Sequence, residues 1–123
     1  MGKIVKERTF DLEMRLIDFA VLVMDIVESL PHTQSGRHVG GQLLKSGTSP
    51  APNYSEATSA ESRKDFIHKM KISLKELRET RTWFLILRKR QMGDLILLKK
   101  GILECQELIK IVASSIQTAK KGL

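Results

Sequence analysis

A single cysteine, Cys105, is present, so no disulfide can close within the chain, and a reducing cytoplasm is the expected setting. Aromatic residues make up only 5% and prolines number three. Leu, Ile, Lys, Glu and Arg are abundant instead, a balance that favours helices over strands. Long hydrophobic runs are also missing. The most apolar stretch, "FAVLVM" at residues 19–24, is bounded by Asp18 and Asp25. A membrane span needs roughly twenty apolar residues, and an export signal needs a longer uncharged stretch with a cleavage site. Gly2 could accept a myristoyl group, but Lys6 stands where Ser or Thr is wanted. The expectation is a soluble cytoplasmic protein with no membrane partner.

The groups that carry enzyme chemistry are sparse too. His32 and His38 fall in a turn-rich connection, and His68 belongs to a lone Asp65-Phe-Ile-His68. A di-iron bundle needs such carboxylate–histidine pairs on two helices, and thiolate metal sites need several cysteines. "GRHVGG" is a turn with glycines and follows no strand, so it is no phosphate loop. No metal, no cofactor and no catalytic activity are expected.

What the chain does have is helical periodicity over 123 residues, enough for one domain with a real core. Leu12, Leu16, Phe19, Val23, Ile26 and Leu30 alternate at steps of four and three, predicting a helix over about 11–30 that Thr9 or Asp11 caps and Pro31 stops. Phe66, Met70, Ser73, Leu77, Thr80, Phe84 and Leu87 do the same over 62–90, with Ile67 and Leu74 widening the stripe. A last helix at 94–119 has the seam Leu95, Leu98, Ile102, Cys105, Ile109, Val112, Ile116 and Ala119, with Gly122 as its terminator. The remaining helix, about 39–60, contains "SGTSPAPN". Proline inside a helix costs about 3 kcal/mol, whereas Ser49 as cap with Pro50 as first residue is a favourable start. Two outcomes are open, a broken pair of helices or one helix bent at Pro50 and Pro52, and these residues alone slightly favour the break. Either way the architecture is all-α, an antiparallel up-down four-helix bundle over residues 1–123.

Charge is the other strong signal. The formal net charge is +7, and residues 61–90 hold ten Lys and Arg against four Asp and Glu, so nearly all the excess sits in one helix. With the seam inward, Lys64, Lys71 and Arg78 stack at seven-residue intervals on an outer line. Lys75, Lys89 and His68 lie beside that line, and Arg81 and Arg88 border the core side. Asp65, Glu76 and Glu79 project elsewhere. Solvated helix faces also look like this, but the stripe suits successive phosphates. Tyr54 and Trp83 make no stacking platform, so structured RNA read by shape is the expected ligand. Two further apolar sets lie off the main seams: Met14, Ile17, Val21 and Met24 on the first helix, and Ile72, Trp83 and Ile86 on the third. They suggest a self-association interface, unless they merely broaden the core. A second function class is a scaffold that offers its surface to an acidic protein and binds no nucleic acid. In the box "NYSEA", Asn53 is expected to satisfy backbone groups freed by the prolines and Glu56 to pair with Arg63.

The segment "QLLKSGTSPAPNYSEATSAESRKDFIHKMKISLKELRET", followed by "WFLIL", resembles the signature of a bacterial family of small four-helix-bundle proteins. These are encoded in intervening sequences of large-subunit ribosomal RNA genes. The resemblance starts at "FDLEMRLIDFAVLVMDIVESL" and is strongest over residues 42–88. It implies a long second helix through the "SGTS…N" region, and so a proline kink rather than a break, although two prolines so close together depart from the family pattern. It also implies ring-like homo-oligomers, often pentamers, with a basic surface. A distant relative that accompanies retroelement reverse transcriptases binds nucleic acid.

Overall fold

The computed structural model describes residues 2–122. The elements are α1 (Gly2–Glu28), α2 (Gln34–Thr48), α3 (Pro50–Thr58), α4 (Arg63–Arg90) and α5 (Leu95–Lys121). α1 packs on α2 and α5, and α4 packs on α2, α3 and α5. The backbones of α1 and α4 stay apart, as do those of α5 and the α2–α3 pair. That is a four-helix bundle with α1 and α4 on one diagonal and α2–α3 opposite α5. Phe19 and Phe84 bridge the first diagonal through the core, edge to face, with ring centroids 6.2 Å apart.

α2 and α3 are one bent helix. Ser49, the residue between them, keeps helical dihedrals (φ −69°, ψ −35°). The bend is held from several sides. Asn53 Nδ2 donates to the Ser49 carbonyl oxygen at 3.0 Å and to its hydroxyl at 2.9 Å. That carbonyl also accepts the Asn53 N–H at 3.2 Å, so the side chain braces the turn and does not satisfy a group freed by the prolines. Ser73 Oγ donates to the Pro50 carbonyl oxygen at 3.1 Å, and the Thr80 and Ser46 hydroxyls share a hydrogen bond at 2.9 Å. Ser46, Ser73 and Thr80 are all fully buried, and each is satisfied, as burial of a hydroxyl demands. The α4 seam carries small polar residues at 73 and 80 because the bend lies against them. Tyr54 and Ala57 continue the inward face beyond the prolines. Ser49 offers no side-chain cap to α3, which removes the attraction of a fresh start there.

Other boundaries differ from expectation. α1 begins at Gly2 instead of near residue 11. Nothing in "KIVKERTF" breaks a helix, and a side chain able to cap need not do so. α2 begins at Gln34, five residues early, because Thr33 Oγ1 accepts the Gly36 N–H at 3.1 Å and caps it. Its glycines lower helix propensity by about 1 kcal/mol each, but the burial of Val39 and Leu43 overrides that. Leu95 is not a core residue: it is 46% exposed at the mouth of α5, and Leu108 is the fully buried residue where Ile109 was expected. Glu56 pairs with Lys69 at 3.2 Å, not with Arg63, whose guanidinium reaches the Ala119 carbonyl oxygen at 3.4 Å across the helix pair.

The connections are short and tied together. α4 ends in a Schellman turn, with Gln91 left-handed (φ 57°) and the Met92 N–H bonded to the Leu87 carbonyl oxygen at 3.0 Å. Asp94 then caps α5 through the Ile96 and Leu97 N–H groups, while its own N–H donates to Ser29 Oγ at 2.9 Å. Among the described residues no helix is long and apolar enough to cross a membrane.

Cys105 is fully buried on α5, and its thiol donates to the Leu77 carbonyl oxygen at 3.2 Å. Burial pushes the thiol up to about 12. The unfolded thiol ionises near 8.5, so between these values the unfolded chain holds fewer protons than the folded one. Stability from this group is therefore complete below about pH 8 and falls as pH rises toward 12. Urea unfolding of wild type and Cys105→Ala should show the advantage of the wild type shrinking between pH 8 and pH 11. A difference independent of pH would contradict the buried, protonated thiol.

Candidate nucleic-acid interface

Positive charge is presented by α4 and completed by the end of α5. Ser62 caps α4 through the Asp65 N–H at 3.1 Å, and the helix then runs for 28 residues without a break. At a rise of 1.5 Å per residue, Lys64 and Lys89 stand roughly 38 Å apart along one rod. Lys64, Lys71, Lys75, Arg78, Arg81, Arg88 and Lys89 are all exposed. Ion pairs among the described residues are Arg15–Glu104, Lys69–Glu56 and Lys110–Glu107, so none of the seven cations is neutralised by a carboxylate. The inward face of the same helix is fixed by Ile67, Met70, Leu77, Phe84 and Leu87, which hold the stripe outward.

The seven do not form one equivalent set. Lys71, Lys75 and Arg78 converge on a groove of about 460 Å³ between α4 and α5, whose other lining residues are Leu74, Ala113, Ile116, Gln117 and Lys120. No acidic residue lines it. Gln117 and Lys120 escaped the reading of the sequence, which treated α4 alone. The signal that could have found them is antiparallel pairing, because the last turns of α5 must lie beside the first turns of α4. On the far side of α5 the sign reverses. A groove between α1 and α5 is lined by Asp18, Glu104 and Glu107 with Lys100, Leu103, Leu22 and Phe19. There Arg15 is held by Glu104 through two hydrogen bonds of 2.7 and 2.8 Å, which raise the guanidinium above its ordinary value.

The apolar residues proposed for self-association fall into two separate patches. Met14, Ile17, Val21 and Met24 are 40–51% exposed along the outer line of α1. Ile86 is 44% exposed on α4, at the diagonally opposite corner of the bundle. Trp83 is half-buried about one turn away on α4, and Ile72 is half-buried about four turns away toward the start of the same helix. Trp83 packs on the core and edge-on to His38, with centroids 6.1 Å apart, and its indole N–H has no hydrogen-bond partner among the described residues. Leu103 and Ile96 on α5, 56% and 83% exposed, belong to neither set.

Among the described residues no three His, Cys, Asp or Glu side chains are grouped to hold a metal ion. His32, His38 and His68 are exposed.

The fold has a known counterpart among solved structures. The chain is similar to a protein of unknown function from the S23 ribosomal protein family of Bacteroides thetaiotaomicron, whose crystal structure superposes with a TM-score of 0.79 at 31% identity, covering 85% of this chain and 97% of the other. No curated protein matches. Residues 9–114 match the family described as 23S rRNA-intervening sequence protein. With a match over most of its length, and with the bent second helix in place, the chain belongs to the 23S rRNA-intervening sequence protein family.

Proposed function

We propose that this chain is a non-enzymatic RNA-binding protein that works as a homo-oligomer. The observation that carries the reading is the row of exposed, unpaired cations from Lys64 to Lys89, widened by Lys120 across the α4–α5 groove. Such a row binds by displacing counterions from phosphates, with little demand on base sequence. The exposed line of Met14, Ile17, Val21 and Met24 supplies the contact between copies. Because α1 lies diagonally across the bundle from α4, a neighbour seated on α1 leaves the stripe of its host open. A closed ring of such contacts, a pentamer by family resemblance, repeats the stripe around its rim and multiplies weak contacts into avidity.

The test is fluorescence anisotropy with a structured 23S rRNA fragment across a salt series. Duplex neutralisation gives a log–log slope of about −0.9 per phosphate, so a slope near −3 or steeper marks a multi-phosphate surface. No binding at low salt removes the RNA reading. The oligomer would then stand as a scaffold for an acidic protein.

A further inference from the structure

The α4–α5 groove offers more than charge. Its cations, Lys71, Lys75, Arg78 and Lys120, surround a floor of Leu74, Ala113 and Ile116, with the Gln117 amide at its edge. Ile116 is buried in the bundle core, and Leu74 and Ala113 are half-exposed. Its volume of about 460 Å³ lies within the range of roughly 300–1,000 Å³ typical of small-molecule sites. A paired helix meets a protein with phosphates and sugars, and would gain nothing from this apolar floor. An unpaired nucleotide turned out of its stack presents both a phosphate and a flat apolar ring.

From this, resting on the RNA reading above, we infer that the groove is a seat for one unstacked nucleotide of an RNA bulge or loop. Lys71, Lys75 and Lys120 take the flanking phosphates. The base lies over Leu74, Ala113 and Ile116, where the planar Arg78 guanidinium can stack on it. Gln117 carries both a donor and an acceptor for the edge of the base. The rest of the stripe, toward Arg88 and Lys89, tracks the adjoining stem. Recognition is therefore of a stem with an unpaired residue, a narrower ligand than shape-read duplex RNA.

Two hairpins separate the alternatives, one fully paired and one identical except for a single-nucleotide bulge. Wild type should bind the bulged hairpin about tenfold more tightly, the scale of one stacked base. Ala113→Phe fills the floor and should erase that preference while leaving affinity for the paired hairpin unchanged. Gln117→Glu, at an exposed position that leaves the core untouched, places a carboxylate at the rim and should reduce the preference in the same direction. Equal binding of both hairpins, unaltered by either variant, overturns the nucleotide seat while the phosphate stripe stands. No binding of either hairpin at low salt overturns the RNA reading, and the seat with it.

Discussion

Replacing Phe84 by alanine is expected to lower the free energy of unfolding by about 3–5 kcal/mol, the scale for a buried phenylalanine, and to be the most damaging single truncation in α4. Phe84 is fully buried and bridges the α1–α4 diagonal to Phe19. Those two helices are held apart by the helices between them, so the bundle cannot collapse into the space the ring leaves. α5 is drawn onto the same ring. A Cβ on Gly101 would stand 3.0 Å from Phe84 Cζ, tight enough that the ring must give by a few tenths of an ångström, and 2.9 Å from the flexible tip of Ile26, Cδ1. Gly101→Ala alone therefore sets about 1 kcal/mol of gained helix propensity against overpacking of about 1–3 kcal/mol. In the Phe84→Ala background the new methyl enters the void, and only the mobile tip of Ile26 must turn aside. The double variant should be more stable than Phe84→Ala in urea unfolding, with unchanged slope. If Gly101→Ala has the same effect in both backgrounds, the aromatic ring does not set the α4–α5 spacing.

Gly101 also shows why one part of the fold was illegible in the sequence. A glycine scores as a helix weakness and has no side chain to place in a seam, yet here it marks a close approach of α5 to side chains of α1 and α4. Reading α5 at a strict four-three step put Leu95 and Ile109 in the core, whereas the buried series is Leu98, Gly101, Ile102, Cys105, Leu108, Val112, Ile116 and Ala119. The expected seam holds at Leu98, Ile102 and Cys105 and again from Val112 to Ala119, so the slip is confined to the first residue and to one step in mid-helix. The seams of α1 and α4 were legible because their large apolar residues fix the phase in the middle. The bend at Pro50 was recognisable only by resemblance, since local propensity rewards a break and ignores the hydroxyls of Ser73 and Thr80 waiting on another helix. The stripe on α4 was legible for the opposite reason: it depends on one helix and its phase. The groove depends on the register of two helices, so Gln117 and Lys120 had no signature of their own.

Reversing Lys71 and Arg78 together is expected to have the largest effect on function. Both are exposed, both line the α4–α5 groove, and neither forms an ion pair, so Lys71→Glu/Arg78→Glu should fold with unchanged thermal stability and oligomeric state. Its RNA affinity at low salt should fall by roughly a hundredfold or more, because two counterion-releasing contacts are lost and two carboxylates face the phosphates. Net charge falls as well, and a less basic protein binds any polyanion less well. Lys45→Glu/Lys99→Glu makes the same change in net charge at exposed positions on α2 and α5 that lie outside the stripe. That control should stay within a few-fold of wild type, since charges beyond about 10 Å at 0.1 M salt are screened. Salt dependence carries the sharper distinction. Losing two phosphate contacts should flatten the log–log slope by about two, whereas a general loss of positive charge shifts affinity and leaves the count of local contacts unchanged. A flattened slope confined to the α4 variant places the phosphates on Lys71 and Arg78, and equal losses in both variants would return the effect to net charge and take the stripe out of the mechanism.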